Sequence, residues 1–329
     1  MFVLKYSRRG YAQRGLSMIE LMVSMVIGLV IMGAVLQAFL STNQSYRIQN
    51  AQSRIQEDGR AAIHFVAQDI RAADFWGCLP NKAVIKNQLD SKSPDYVPLS
   101  YDYAVNPSVN GIENNGVNSS DSLILRGAAS TGHQLAAAGM ANVTSDIVIK
   151  ANMGLSQNHI VLISDCLSGD IIQITNNPEV TGSATLQHGN KPDPAITPGN
   201  ARASLSTAYS SNAEVFTLQN TAYSVVMSGG APTLQRNGLD LVPNIEEMQV
   251  LFGEDTDANF SANYYVSANN VVNMDNVVSI RVAFLVRSNL DNLVINPQVY
   301  NFDGRTITAQ DNRIRHVFTT TVSIRNRGQ

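Results

Sequence analysis

Apolar and polar positions change rhythm twice along this chain. Residues 16–40, LSMIELMVSMVIGLVIMGAVLQAFL, are almost wholly apolar. At 1.5 Å per residue such a run makes a helix of roughly 37 Å, enough to cross a hydrocarbon core of about 30 Å. From Ser41 to Phe75 there is no proline, and Ile48, Ile55, Ala62, Val66, Ile70 and Ala73 recur at spacings of three, four or seven. That is the stripe of an amphipathic helix. Arg47, Gln52, Arg54, Glu57, Asp58, Arg60, Asp69 and Arg71 lie between and read as its solvated face. One helix over 16–76 accounts for both stretches, 16–40 as the membrane part and 41–76 as the amphipathic part. Gly59 is its weak point.

Beyond Gly77 the period falls to two. Val278, Ile280, Val282, Phe284 and Val286 share one strand face, with Ser279, Arg281 and Arg287 on the other. A last strand sets Ile314, His316, Phe318, Thr320, Val322 and Ile324 inward, against Arg313, Arg315, Thr319, Ser323, Arg325 and Arg327. Shorter strands are predicted at 122–126, 146–150, 159–164, 170–175, 214–218 and 247–252. The fold class is α+β: a long N-terminal helix on a mainly antiparallel sheet domain spanning 77–329. Two stretches without periodicity, 87–119 and 176–213, are rich in Asn, Ser, Pro and Gly. Within the second, HGNKPDPAITPGN (188–200) reads as a surface loop. Such loops either contact partners or are tolerated insertions, the second being favoured.

Charge changes the picture at the N-terminus. Lys5, Arg8, Arg9 and Arg14 precede the apolar run with no acid among them. The positive-inside rule puts residues 1–15 in the cytoplasm and the remainder across the membrane. The whole chain of 329 residues has a formal charge of −3, and without residues 1–15 it falls to −7. There is no basic field of the kind that binds nucleic acid non-specifically. Inside the apolar run stands one carboxylate, Glu20. A charge at the bilayer centre costs about 2.5–3.5 kcal/mol or more, so an intramembrane acid calls for a partner. The plain alternative is a side chain that snorkels to the nearby headgroups. The run is too long for a cleaved secretory signal, and no A-x-A site closes it.

The string Gly15-Leu16-Ser17-Met18-Ile19-Glu20 resembles the type IV prepilin signal, a basic leader ending in Gly before an apolar segment. The resemblance implies cleavage between Gly15 and Leu16 by a membrane-embedded prepilin peptidase, and N-methylation of Leu16. Leu16 stands where Phe is commoner. The freed amine then lies one helical turn from Glu20, and in a staggered stack Glu20 of an incoming subunit faces its neighbour's amine. That pairing would offset the desolvation of both groups and set the register of assembly. GRAAIHFVAQDIRAADFWGC (59–78), SDSLILRG (120–127), VLISDC (161–166) and VSIRNRG (322–328) are similar to the PilW-type minor pilins. That resemblance implies a pilin-like subunit of a type IV pilus tip complex that primes assembly. It implies as partners other minor pilins, the major pilin, an inner-membrane assembly platform and a large tip adhesin. Twitching motility, adhesion and DNA uptake are the implied outcomes. The rival reading is a pseudopilin of a type II secretion system, which shares leader, helix and fold.

The remaining candidates are few. Cys78 and Cys166 face the periplasm on this topology, where disulfides persist. A bridge is expected between them, two separate buried thiols being the alternative. Asp255, Asp257 and Asn259 have D-x-D-x-N spacing, but Phe260 and Val266 occupy the Gly and Glu positions of an EF-hand loop. A looser calcium site and a solvated acidic turn are both open, the turn being favoured; no other cofactor is expected. His64, His133, His159, His188 and His316 are scattered, and neither H-E-x-x-H nor G-x-S-x-G occurs. His64 and His316 read as packed residues. The C-terminal arginines read as a solvated sheet face, with a docking surface for an acidic neighbour as the lesser option. The expectation is a structural protein rather than an enzyme.

Overall fold

The computed structural model describes residues 17–98, 102–103, 106–150, 154–178, 184–190 and 197–327. Helix α1 spans Met18–Ala72, and the chain divides within it into two units, residues 1–53 and 54–329. In the first unit the described residues are helical from Met18 onward and bear large exposed apolar side chains such as Ile27, Leu29 and Met32.

The second unit takes up α1 from Arg54 and adds the sheets. Its strands are β1 (Ile85–Asn87), β2 (Val109–Ile112), β3 (Ser122–Gln134), β4 (Ile147–Val148), β5 (Ile160–Ser164), β6 (Gly169–Gln173), β7 (Thr185–Leu186) and β8 (Glu214–Ser228). There follow β9 (Ala231–Arg236), β10 (Leu239–Pro243), β11 (Ile245–Glu254), β12 (Tyr264–Val266), β13 (Val277–Arg287), β14 (Val299–Phe302), β15 (Arg305–Thr308) and β16 (Arg315–Ser323). The larger sheet runs β1-β6-β5-β8-β3-β2, with β9 on the far end of β8 and β10 on β9. Only β1–β6 is parallel in it. The smaller sheet, β12-β11-β13-β16, is wholly antiparallel. This is the α+β class expected from the two periodicities.

The helix stripe is buried in this unit. Ile55, Ala62, Val66 and Ile70 are at most 1% exposed. At roughly 1.5–3 kcal/mol per large apolar side chain, they supply the main reason for the helix to lie on the sheets. Two members of the predicted solvated face do not stay in water. Asp69 accepts from the Tyr223 hydroxyl at 2.6 Å and pairs with Arg236 at 2.9 Å. Asp58 accepts from the Asn244 amide, and burial raises its carboxyl pKa above the usual range. The two sheets are joined where β3 begins: Asp121 accepts from the Val250 amide at 2.9 Å, and Ser120 Oγ from the Met248 amide at 3.1 Å.

Several expectations need correction. The helix stops at Ala72, not 76, because Asp74 adopts a left-handed φ of 61° and its amide turns to the Arg126 carbonyl at 2.8 Å. The stretch 176–213 contributes to the core: His188, Asn200, Leu205 and Tyr209 are buried. Its organiser is Asp170, fully buried, which accepts from Gln88 Nε2, Ser206 N and Oγ, and Tyr209 Oη. The Asn200 side chain likewise pairs with both backbone groups of Gln173. In the last strand Arg315 is buried and His316 exposed, and His64 is exposed as well. The C-terminal arginines are not a uniformly solvated face. Arg315 holds Glu246 at 2.7 Å and Asp311 at 2.6 Å, and the bond to Arg315 keeps the Asp311 carboxyl below its usual range.

Gly59 has a role other than bending. The helix runs through it, and a Cβ there would stand 2.4 Å from the nearest carbon of the Phe318 ring of β16. Gly59→Ala is expected to cost about 1 kcal/mol, since overpacking at about 2 kcal/mol outweighs a helix-propensity gain of about 1. In a Phe318→Ala background the same change should stabilise by about 1 kcal/mol. Urea unfolding of the four proteins checks this, and an unchanged sign would refute the contact.

Candidate assembly segment and the anchor of the helix

The cleavage and methylation positions, Gly15 and Leu16, lie outside the described residues. Description begins at Ser17, where the local chemistry is informative. The Ser17 amide donates to Glu20 Oε2 at 3.2 Å, and the Glu20 amide donates to Ser17 Oγ at 3.2 Å. This reciprocal pair is a capping box, which satisfies two of the amides that a helix start leaves orphaned. A carboxylate in the first turn also faces the positive end of the helix dipole. The S-x-x-E spacing is legible in the sequence as a cap, but a lone carboxylate in an apolar run reads first as a charge that calls for a partner on another chain. Ser24 Oγ then donates to the Glu20 carbonyl at 2.6 Å, so that hydroxyl is satisfied by the helix's own backbone. None of the most apolar 18-residue window of α1 is buried. Of the described residues, it alone is long and apolar enough to cross a membrane.

The other end of α1 is held by several independent contacts. Asn326 Nδ2 donates to the Ala73 carbonyl at 2.8 Å, covering part of the negative helix terminus. Asp74 accepts from Trp76 Nε1 at 2.8 Å and from Arg327 Nε at 2.5 Å. Arg327 spends Nη1 on the carbonyls of Met274 and Val277, so one buried guanidinium ties the helix end to the segment opening β13. The amide of Ala128 reaches the Phe75 carbonyl at 2.6 Å. Gly77, at a φ of 71°, lets the chain pass against the Phe216 ring, which lies 2.6 Å from where a Cβ would stand.

Immediately beyond, Cys78 and Cys166 form the expected disulfide, with Cα atoms 4.6 Å apart and a sequence separation of 88. Cys166 lies in the tight turn from β5 to β6, which the Asp165 carboxylate fastens by accepting from the amides of Leu167 and Ser168. The bridge therefore staples the chain leaving the helix to the larger sheet.

The candidate calcium residues form a different object. Asp255 accepts from the amides of Asp257, Asn259 and Phe260, the last at 2.7 Å. Burial works to raise its pKa, and the amide bonds, led by Phe260, outweigh that and leave the carboxyl below its usual range. Asp257 accepts from Asn259 Nδ2. The D-x-D-x-N spacing is thus used to hold a turn with Ala258 and Phe260 at positive φ. Among the described residues no cluster of three or more His, Cys, Asp or Glu is arranged to hold a metal.

Comparison with known families adds to this geometry. A family model described as the prokaryotic N-terminal methylation motif matches residues 11–36, so the N-terminal segment is similar to that of prepilin-like chains. A second model, the Type IV Pilus-assembly protein W, matches residues 207–326 and bears out the resemblance to PilW-type minor pilins. Together with the single apolar helix, the first match supports anchoring by one membrane pass. Similarity to a pilus-assembly family in turn implies contact with other pilus components and with prepilin peptidase. No curated protein and no solved structure matches the chain.

The anchor makes two predictions. Replacing both cysteines by serine should lower stability by about 4–5 kcal/mol, the loop-closure cost for a ring of this size; reduction of the wild type should produce the same shift in a urea titration. Arg327→Ala should cost about 3 kcal/mol, the low end for a buried ion pair with one partner removed. A melt unchanged by Arg327→Ala would mean that the C-terminal residues do not hold the helix.

Proposed function

We propose that this chain is a non-catalytic minor subunit of a type IV pilus, held in the inner membrane until prepilin peptidase cuts between Gly15 and Leu16 and methylates the new terminus. The carrying observation is the coincidence of the methylation motif over residues 11–36 with a membrane-length helix that bears Glu20 in its first turn. Residues 1–15 stay in the cytoplasm on this reading, and the β domain lies in the periplasm before reaching the cell surface. The mature chain joins other minor pilins, the major pilin and a large tip adhesin at the assembly platform, and that tip complex starts polymerisation. Motility, adhesion and DNA uptake would then depend on it through fibre number.

Glu20 carries two duties on this view. As a capping residue it starts the helix; as a charge it answers the amine of a neighbouring subunit. Glutamine can cap in place of glutamate but brings no charge, so the two duties separate experimentally. In a strain lacking the chromosomal copy and unable to retract pili, wild type should restore surface fibres counted by electron microscopy. A Gly15 variant resistant to cleavage should not. Glu20→Gln should fail nearly as badly as Glu20→Ala. Restoration by Glu20→Gln would reduce the residue to a cap, and normal fibre numbers without any copy would favour a secretion pseudopilin.

A further inference from the structure

The smaller sheet ends in β16, whose outer row, among the described residues, pairs with no further strand. Antiparallel partners alternate between pairs that exchange backbone hydrogen bonds and pairs that do not. The alternation on β16 is fixed from both ends. Ser288 N donates to the Ile314 carbonyl and Ile324 N to the Val278 carbonyl, so even-numbered residues bond β13. At Arg315 both backbone groups turn outward and meet one side chain: Gln298 Oε1 accepts from the Arg315 amide at 2.8 Å, and Gln298 Nε2 donates to the Arg315 carbonyl at 2.9 Å. A glutamine amide there stands in for one residue of a neighbouring strand. Past it, Val317, Thr319, Thr321 and Ser323 direct their amides and carbonyls the same way. Among the described residues no backbone group or strand meets them, and all four residues are exposed.

Natural sheets protect such edges with proline, lysine, bulges or extreme shortness. The other outermost strands of the two larger sheets are short or irregular: β1, β2 and β12 have three to four residues each, and β10 carries a register shift and ends at Pro243. By contrast β16 is nine residues long, pairs with β13 without a shift, and has neither proline nor lysine. Where the edge ends, a cavity of about 340 Å³ is lined by His64, Gln68, Arg71, Ala72 and Arg325. It holds two arginines and no carboxylate.

We infer that β16 is a docking edge for an extended segment of a different polypeptide, which adds as a strand along Val317–Ser323 and places an acidic side chain between Arg71 and Arg325. Backbone pairing supplies affinity in this mode of recognition, and the groove beyond the strand supplies selectivity. The inference does not depend on the pilus reading.

The full chain in detergent micelles tests it by fluorescence anisotropy. The probes are labelled peptides of alternating threonine and valine, with two aspartates at either end. Saturable binding is expected, weakened at least ten-fold when alternate peptide amides are N-methylated and at least five-fold when lysines replace the aspartates. Thr321→Pro should weaken binding at least ten-fold, because it removes an outward amide while leaving the β13 ladder intact. Arg325→Glu should invert the preference between aspartate and lysine probes. Equal binding of the N-methylated probe, indifference to charge, or no saturable binding would overturn the proposal. So would wild-type self-association abolished by Thr321→Pro, which would make a second copy the occupant. If Thr321→Pro lost its cooperative melt, the peptide-side controls would still decide.

Discussion

The domain depends on one constraint: the C-terminal end of α1 must be held where it leaves for the sheets. Four carbonyls at a helix end lack partners, and burying them unmet would cost the domain dearly. Asn326 meets one of them directly, and Asp74 turns the chain by adopting a left-handed conformation. The Asp74–Arg327 pair then draws the last residues of the described chain to the end of the first helix, 253 positions away in sequence. A buried pair like this is a poor source of net stability, since desolvation consumes most of the Coulomb gain. Its use is geometric: it admits one register of helix end, β3 and the start of β13. The disulfide acts beside it by another route, restricting the unfolded chain rather than adding a contact to the folded one.

Glu20 has a local duty that leaves room for the intermolecular one proposed for it. Within the chain its carboxylate is engaged by the Ser17 amide, so it is not a bare charge waiting in lipid. A carboxylate has lone pairs to spare after accepting one amide, and it remains free to accept a cationic neighbour. The cap also removes part of the penalty for starting a helix within an apolar environment, where an unmet amide costs several kcal/mol.

How much was legible depended on how the information is spaced. The membrane-length run, the stripe Ile55–Ala62–Val66–Ile70 and the alternation of Val278–Val286 rest on many residues repeating one choice, and each appears in the structure. The disulfide was legible because two cysteines leave one pairing. The turn at Asp255 was legible as a turn, though its amide-filled carboxylate was not. Asp170 was illegible: its partners Gln88, Ser206 and Tyr209 come from separated segments and share no period. The same holds for Arg315 and Arg327, which sit at positions whose alternation reads as solvent-facing. Each is buried because carboxylates from elsewhere, Glu246 and Asp311 or Asp74, arrive to pair with it.

By itself, then, the sequence determined the membrane-length helix, the α+β class, the covalent staple and the prepilin-like N-terminus. All four follow from runs, periods or short contiguous motifs that act over a few residues. Only the tertiary structure decided where α1 stops, which polar residues are buried, and which strand is left with an open row of backbone groups. Those outcomes depend on which distant segments come to lie beside one another, and hydrogen-bond partners chosen across a fold leave no periodic trace along the chain.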